Sequence, residues 1–353
     1  MRLSFAPYIL HFRTPSGTSR GILTEKPTYF IKLYDEQNPE VCGIGEAPYF
    51  PGLSPEDGSR YEYKLIELLA NVALGRQTDL SRHPSIQFGF EQALYDLVSG
   101  GKGIYFPSKF TEGEAHIDIN GLVWMGSHDE MLQRVEEKLS LGFRCIKLKI
   151  GAIDWQSEID LIRAIRRRYS ANEITVRVDA NGAFSMDDVF PRLKLLADLG
   201  IHSIEQPIRA GYPELMAFVC KMSPVPVALD EELIGVYDTE SRKRLLDCIK
   251  PAYIILKPAL VGGFSGAAEW IELAQERGIG WWITSSLESN VGLNALAQWT
   301  ATLGTGGLPQ GLGTGALFTN NAPSRLVLSG DKLSFDTAAV RDKSFFDALP
   351  WRE

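Results

Sequence analysis

The chain has 353 residues, of which 44% are hydrophobic and 23% charged, a composition that supports a large folded core and excludes a disordered chain. Its formal net charge is −8 and it has no basic run, so we expect no nucleic-acid partner, because binding phosphates requires clustered Lys and Arg. No apolar stretch approaches the roughly 18 residues of a membrane span, and the first residues do not resemble a secretory signal, so we expect a cytoplasmic protein with no membrane partner.

The first 112 residues are predicted to form an α+β module, because they lack the strand–helix alternation that follows. The Gly, Ser and Pro content of 15–21 predicts a loop. Apolar spacing predicts three strands and two helices at 3–12, 28–34, 41–47, 55–75 and 87–99.

From residue 113 to residue 318, strand-like and helix-like segments alternate, which predicts a parallel β/α barrel. The predicted strands are 117–123, 145–150, 175–179, 202–205, 226–230, 253–257, 281–286 and 311–315. The alternation ends in the segment 319–353. A hairpin predicted at 325–335 is expected to return to the first module.

Five predicted strands of the barrel end in a charged side chain. Successive gaps between these side chains are 30, 26, 25 and 27 residues, about one strand, one helix and two loops. Because the carboxyl ends of parallel barrel strands meet at one mouth, the five charges should converge on one site. They are Lys149, Asp179, Glu205, Asp230 and Lys257.

Side chains two residues apart on a strand point to the same face, which indicates the neighbouring residues that share that site. Lys147 points the same way as Lys149, and Asn181 the same way as Asp179. Two lysines inside a barrel are costly unless they are paired or functional.

Three converging carboxylates need a cation between them to stay ionised together. Oxygen ligands with room for water and substrate suit Mg²⁺ better than Zn²⁺. Such a site can favour removal of the proton next to a substrate carboxylate, with a lysine as the base. Lys257 would stand across the mouth from Lys149.

In order and spacing, these pieces resemble the enolase superfamily, in its muconate-lactonising-enzyme-like subgroup. They are Lys-x-Lys (147–149), Asp-x-Asn (179–181), Glu-Gln-Pro (205–207), Asp-Glu (230–231) and Lys-Pro (257–258), and Gly-Ile-Gly-Glu-Ala (43–47) resembles part of the capping domain. The resemblance implies a (β/α)7β TIM-like barrel with an α+β capping domain formed by the N-terminal region and the C-terminal tail. It also implies Mg²⁺, with Mn²⁺ as a substitute, a small-molecule carboxylate substrate, and homo-oligomer formation.

The resemblance also implies roles for the site residues. Asp179, Glu205 and Asp230 would be the metal ligands, and Lys149 would be the acid/base. Lys257 would act from the other face of the substrate, while Lys147 would tune Lys149. Beside this set, we expect Asn181 to support the ligands rather than bind the metal, and Glu231 to hold a lysine or a loop rather than the metal.

Two further stretches, 257–264 and 285–292, resemble the o-succinylbenzoate synthases of menaquinone biosynthesis. This implies syn dehydration of a cyclohexadiene carboxylate, with Lys149 acting on one face and the Lys257 ammonium stabilising charge. Further expected substrate contacts come from the strand ends and from the capping loops 14–24 and 48–56. They are Gly262, Gly263, Thr284, Ser285, Ser286, Glu288, Arg20 and Phe50.

Several alternatives remain within the fold. An N-acylamino acid racemase acting on N-succinyl amino acids would use the same lysine pair, and a muconate-type cycloisomerase is a weaker candidate. Dipeptide epimerases of the family carry Asp-x-Asp where this chain has Gly313-Thr-Gly315, and all five histidines precede the fifth predicted strand, against a mandelate-racemase type. A barrel that only binds an acid would not need two lysines.

Overall fold

The computed structural model describes residues 1–18, 21–151 and 153–353. The strands are β1 Arg2–Thr18, β2 Gly21–Asp35, β3 Asn38–Ala47, β4 Ile117–Asp118, β5 Gly121–Val123, β6 Cys145–Lys149, β7 Thr175–Asp179, β8 Ser203–Glu205, β9 Val227–Leu229, β10 Tyr253–Leu256, β11 Gly280–Ile283, β12 Leu326–Ser329 and β13 Lys332–Phe335. The helices are α1 Tyr61–Ala73, α2 Pro84–Val98, α3 His128–Ser140, α4 Trp155–Arg168, α5 Val189–Asp198, α6 Pro213–Met222, α7 Thr239–Ile249, α8 Pro258–Val261, α9 Gly263–Gln275, α10 Asn290–Ala301 and α11 Lys343–Asp347.

The N-terminal module is an antiparallel sheet in the order β1-β2-β3, with α1 and α2 packed on it. Gly45 allows α2 to lie directly on β3, because an added Cβ would be 2.0 Å from the carbonyl oxygen of Gly89. The loop predicted over 15–21 is wrong where the chain is described. The β1–β2 hairpin continues to Thr18 and Gly21 after a register shift, since Gly and Ser are tolerated in a two-stranded hairpin tip.

Seven parallel strands form the second sheet, in the order β11-β10-β9-β8-β7-β6-β5. Gln310 and Gly311 make parallel bridges to Ile119 and Thr284, next to the two edge strands. The curled sheet and its helices form a TIM-like barrel with a capping domain, as predicted. The predicted strand over 311–315 is reduced to these bridges, because the glycines there contribute no side chains to a longer ladder.

The predicted first barrel strand, 117–123, is divided in two. β5 belongs to the barrel, whereas β4 pairs antiparallel with β13 of the C-terminal hairpin. The hairpin therefore pairs with the start of the barrel segment, and it also contacts the end of the first module, where the Phe335 ring packs on Phe110 and Arg325 donates to the carbonyl of Lys102. The last residues reach the sheet of that module as well, since Phe345, Phe346 and Trp351 pack against the cluster around Phe30.

The two faces of each barrel strand have different environments. Ile146, Leu148 and Ile150 join the large apolar core with the surrounding helices, while Lys147 and Lys149 face the barrel mouth. This is the alternation predicted from the sequence. None of the helices in the described ranges is long and apolar enough to cross a membrane.

Candidate active site

Five consecutive barrel strands, β6 to β10, bring the predicted charges together. Lys149 is paired in register with Asp179, and Asp179 with Glu205, so these three side chains form a row across β6, β7 and β8. Asp230 follows β9 directly, and Lys257 follows β10. Short strands that all end at one level therefore place the charges at the carboxyl end of the barrel.

Ion pairs connect these side chains. Lys147 Nζ lies 3.1 Å from Asp179 Oδ2 and also donates to Glu205 Oε2. Lys149 Nζ donates to the same Asp179 oxygen at 2.9 Å, and Lys257 Nζ donates to Asp230 Oδ2. The lysines on the two sides of the barrel thus each contact a carboxylate of one common cluster.

Burial and charge act against each other in this cluster. Burial disfavours the charged form of Asp179, but the ammonium groups of Lys147 and Lys149 outweigh it and hold its pKa well below the usual range. Burial also disfavours charge on Lys147 and Lys257, yet neighbouring carboxylates raise the pKa of both: chiefly Asp179 and Glu205 for Lys147, and Asp230 and Glu205 for Lys257. These lysines therefore remain ammonium groups at neutral pH.

The pKa of Glu205 is shifted in the opposite direction to that of Asp179. Burial and then the carboxylate of Asp179 raise its pKa well above the usual value, although Lys147 donates to it. Its Oε1 atom is buried and has no hydrogen-bond partner. With Glu231 included, four carboxyl groups face three lysine side chains here, so acidic groups are in excess.

The donor atoms and this excess of acidic groups decide whether a metal ion fits the site. Among the described residues, no three His, Cys, Asp or Glu side chains form a preassembled ligand group, because lysine ammonium groups contact the three carboxylates. The donors are nonetheless oxygen atoms alone, and Glu205 Oε1 is unused. The residues therefore fit a hard divalent cation such as Mg²⁺.

Asn181 connects two parts of the cluster. Its backbone has a positive φ of 44°, a conformation that Asn tolerates better than most residues. Its Oδ1 accepts from Lys149 Nζ at 2.8 Å, and its Nδ2 donates to Glu231 Oε1 at 3.0 Å. Burial and the neighbouring Asp230 raise the pKa of Glu231. The predicted supporting positions of both residues remain predictions that agree with this geometry.

A cavity lies over the cluster and is open to solvent; the space between its lining atoms, the open mouth included, is about 800 Å³. The predicted residues that line it are Lys147, Lys149, Asp179, Asn181, Glu231, Lys257, Phe50, Thr284, Ser285 and Ser286. Apolar side chains and charged residues of the cluster therefore share one cavity.

Other predicted substrate contacts lie elsewhere. Gly262 and Gly263 join α8 to α9 and do not line the cavity. The chain runs towards α2 at this point, and a Cβ added to Gly263 would lie 2.4 Å from Oε2 of Glu91. Glu288 is fully buried behind the wall and accepts from Ser285 Oγ at 2.5 Å. Arg20 lies outside the described residues.

The sequence interpretation missed part of the lining. Asn120, Leu122 and Trp124 contribute from β5 and its flanks, and Leu287 from the loop after β11. Leu122 is in register with Lys147, so the period of two also places Asn120 and Trp124 on the inward face. The alternation along the strand therefore indicates Asn120 and Trp124, but only when the boundary of β5 is known.

Comparisons with known proteins agree with this site. A family model described as Enolase C-terminal domain-like matches residues 130–316. The o-succinylbenzoate synthase of Desulfotalea psychrophila is 46% identical, with 94% of this chain and 98% of that protein covered. An N-succinylamino acid racemase of Thermus thermophilus is 28% identical, with 78% and 75% covered.

A solved structure resembles the whole chain. The crystal structure of MenC from Desulfotalea psychrophila matches with a TM-score of 0.84 and 42% identity, over 95% of this chain and 99% of that one. The match extends over both the barrel and the N-terminal module. The chain therefore belongs to the enolase superfamily and groups there with the o-succinylbenzoate synthase family.

Proposed function

We propose that this chain is an o-succinylbenzoate synthase, a hydro-lyase that removes the proton next to a substrate carboxylate and then eliminates water. One observation carries the proposal. Lys149 and Lys257, from strands on opposite sides of the barrel, line a single cavity together with Asp179. Such a site can hold an acid between two amines. The synthase of 46% identity over nearly the whole chain supports this choice of reaction.

Lys149 is the proposed acid/base. Its Nζ is held at 2.9 Å by Asp179 Oδ2 and at 2.8 Å by Asn181 Oδ1, with the amine at the cavity surface. As the free amine, it takes the proton from the carbon next to the substrate carboxylate. The same proton then passes to the hydroxyl that leaves as water, from the same face. Syn elimination therefore requires one positioned lysine.

Lys257 has a different proposed role. Its ammonium is paired with Asp230 and faces the cavity from β10. A fixed positive charge there stabilises negative charge that develops on the substrate during proton loss. Lys147, which lies between Asp179 and Glu205, is proposed to keep Asp179 ionised and so to orient Lys149.

Asp179, Glu205 and Asp230 would hold Mg²⁺, with Mn²⁺ as a substitute. When bound, this cation would neutralise charge on the substrate carboxylate and make the adjacent proton more acidic. The unused Oε1 of Glu205 and the excess of carboxylates support this assignment. Phe50, Leu53 and Trp124 would cover the ring of the substrate, and Ser285 and Ser286 would contact its polar arm.

We also propose the finer architecture, a (β/α)7β barrel within 113–318 between a capping module (1–112) and a returning tail (319–353). The bridges of Gln310 and Gly311 next to both edge strands support an eighth, minimal strand.

N-acylamino acid racemisation is a second candidate, because the same two lysines could exchange a proton on opposite faces and a racemase is among the relatives. One experiment separates the two. The purified enzyme with Mg²⁺ is given the cyclohexadiene substrate in a spectroscopic assay, and N-succinyl amino acids in a polarimetric assay. We expect formation of the aromatic acid; racemisation without it would contradict the proposal.

A further inference from the structure

A second buried charge cluster lies between the capping module and the barrel, behind the cavity wall. We define it by three residues: Lys26 on β2, Glu46 on β3, and Glu288 in the loop before α10. Lys26 is 1% exposed and both glutamates are fully buried. Buried charges in a domain interface are costly unless they do specific work, and the proposed reaction uses none of them directly.

The two glutamates hold the loop that forms the wall. Glu288 accepts from Ser285 Oγ at 2.5 Å, from the backbone N–H of Ser286 at 3.0 Å and from Ser286 Oγ at 2.7 Å. These bonds close a tight turn in which Leu287 has a φ of +64°. A non-glycine residue in this conformation is strained and persists only where its surroundings fix it. Ser285, Ser286 and Leu287 all line the cavity.

Glu46 holds the same loop from the capping side. Its carboxylate accepts from the backbone N–H of Ser289 at 2.8 Å, from Ser289 Oγ at 2.5 Å and from the backbone N–H of Gly292 at 2.9 Å. It also accepts from Thr28 Oγ1 on β2. A capping-module carboxylate therefore fixes the beginning of α10 in the barrel.

Lys26 is the buried basic group of the cluster. Its ammonium has no hydrogen-bond partner among the described residues and lies 5.8 Å from the centre of the Phe50 ring, which lines the cavity. Burial lowers the pKa of Lys26 despite the neighbouring Glu46 and Glu288, and burial raises the pKa of Glu46 despite Lys26. The hydrogen bonds of Glu46 are therefore the contacts that hold the loop, and an amide NH₂ in place of its Oε2 could not accept from the N–H of Gly292.

We propose that Glu46 is a positioning residue through which the capping module sets the Ser285–Leu287 wall of the substrate cavity. The proposal rests on the proposed function for its effect on catalysis, but not for its effect on the loop. The metal-ligand cluster and Lys149 lie on other strands, so the wall can loosen while the chemistry remains.

Hydrogen exchange measured by mass spectrometry tests the loop directly. In Glu46→Gln, which keeps the shape and removes one acceptor oxygen, we expect amides of 285–293 to exchange about tenfold faster or more, while β10 is unchanged. The matched control Glu25→Gln, at an exposed position of β2, should leave 285–293 unchanged.

Kinetics tests the consequence. Glu46→Gln should raise the KM for the cyclohexadiene substrate about tenfold while kcat stays within about threefold. Unchanged exchange at 285–293, or faster exchange throughout the chain, would overturn the proposal. An inactive wild-type enzyme would instead refute the proposed function, and the exchange result would still decide the role of Glu46.

Discussion

Replacement of Lys149 by methionine is the sharpest test of the proposed chemistry. The substitution keeps the length of the side chain and removes the amine that both takes and returns the proton. A single positioned acid/base contributes about 10²–10⁴ in rate. Because Lys149 would serve two successive proton transfers, we expect kcat to fall by at least about 10⁴, equivalent to about 5.4 kcal/mol of transition-state stabilisation.

The surroundings of Lys149 predict that little else changes. Asp179 would still have Lys147 at 3.1 Å and would still accept from the backbone N–H of Asn181 at 3.0 Å. Its carboxylate therefore stays ionised, and loss of a neighbouring positive charge does not weaken cation binding. We expect the Mg²⁺ affinity measured by titration calorimetry to equal or exceed that of the wild type.

The control is Lys243→Met, which removes a surface lysine paired with Glu240 on α7. It should retain full turnover and the same Mg²⁺ affinity. Turnover of Lys149→Met within tenfold of the wild type would exclude Lys149 as the base. Loss of turnover together with loss of Mg²⁺ binding would show that Lys149 supports the site rather than performing the reaction.

Three further predictions concern the scaffold and the metal site. Gly45→Ala should lower the free energy of unfolding by more than about 3 kcal/mol in urea denaturation, because its Cβ would be 2.0 Å from a backbone oxygen; Gly304→Ala, which meets nothing within 4 Å, should cost less than about 0.5 kcal/mol. Saturating Mg²⁺ should raise the melting temperature of the wild type in calorimetry but not that of Glu205→Gln; equal shifts would count against Glu205 as a ligand. Burial and then Arg177 lower the pKa of His202 to about 4, below its unfolded value of about 6.5, so the unfolded state binds more protons between these values. Stability should therefore rise by about 1–2 kcal/mol from pH 4 to pH 6.5, after allowance for the partly exposed ring, and His202→Phe should remove this dependence.

The row of charged side chains at the barrel mouth could be predicted from the sequence because parallel strands impose it. Each βα unit returns the chain to the same end of the barrel, so a charge after each apolar run predicts convergence without knowledge of the distances. The alternation of Lys147 and Lys149 with Ile146 and Leu148 assigned the inward face in the same way. At these positions, the alternation along one strand and the topology of the barrel lead to the same prediction.

The substrate wall was less accessible because it depends on boundaries and burial. The run 117–123 looks like one strand, and its division between the C-terminal hairpin and the barrel hides Asn120 and Trp124 as inward residues. Glu25 and Lys26 are adjacent polar residues, and only the packing of the two domains decides that Lys26 is buried while Glu25 is exposed. The Gly262–Gly263 prediction was taken from a resemblance and not from a register, so nothing in the strand pattern supported it.

The two charge clusters have opposite relations to the substrate. The barrel cluster has acidic groups in excess of lysines and faces an open cavity, so a cation and an acid from solvent would complete it. The cluster of Lys26, Glu46 and Glu288 is closed to solvent and completes itself with hydrogen bonds from the loop it holds. A change in the second cluster would therefore alter the wall of the cavity, and with it the acids that fit, while the proposed proton transfers at Lys149 are preserved. The wall and the proposed chemistry can vary separately because the wall is anchored to the capping module and the lysines to the barrel.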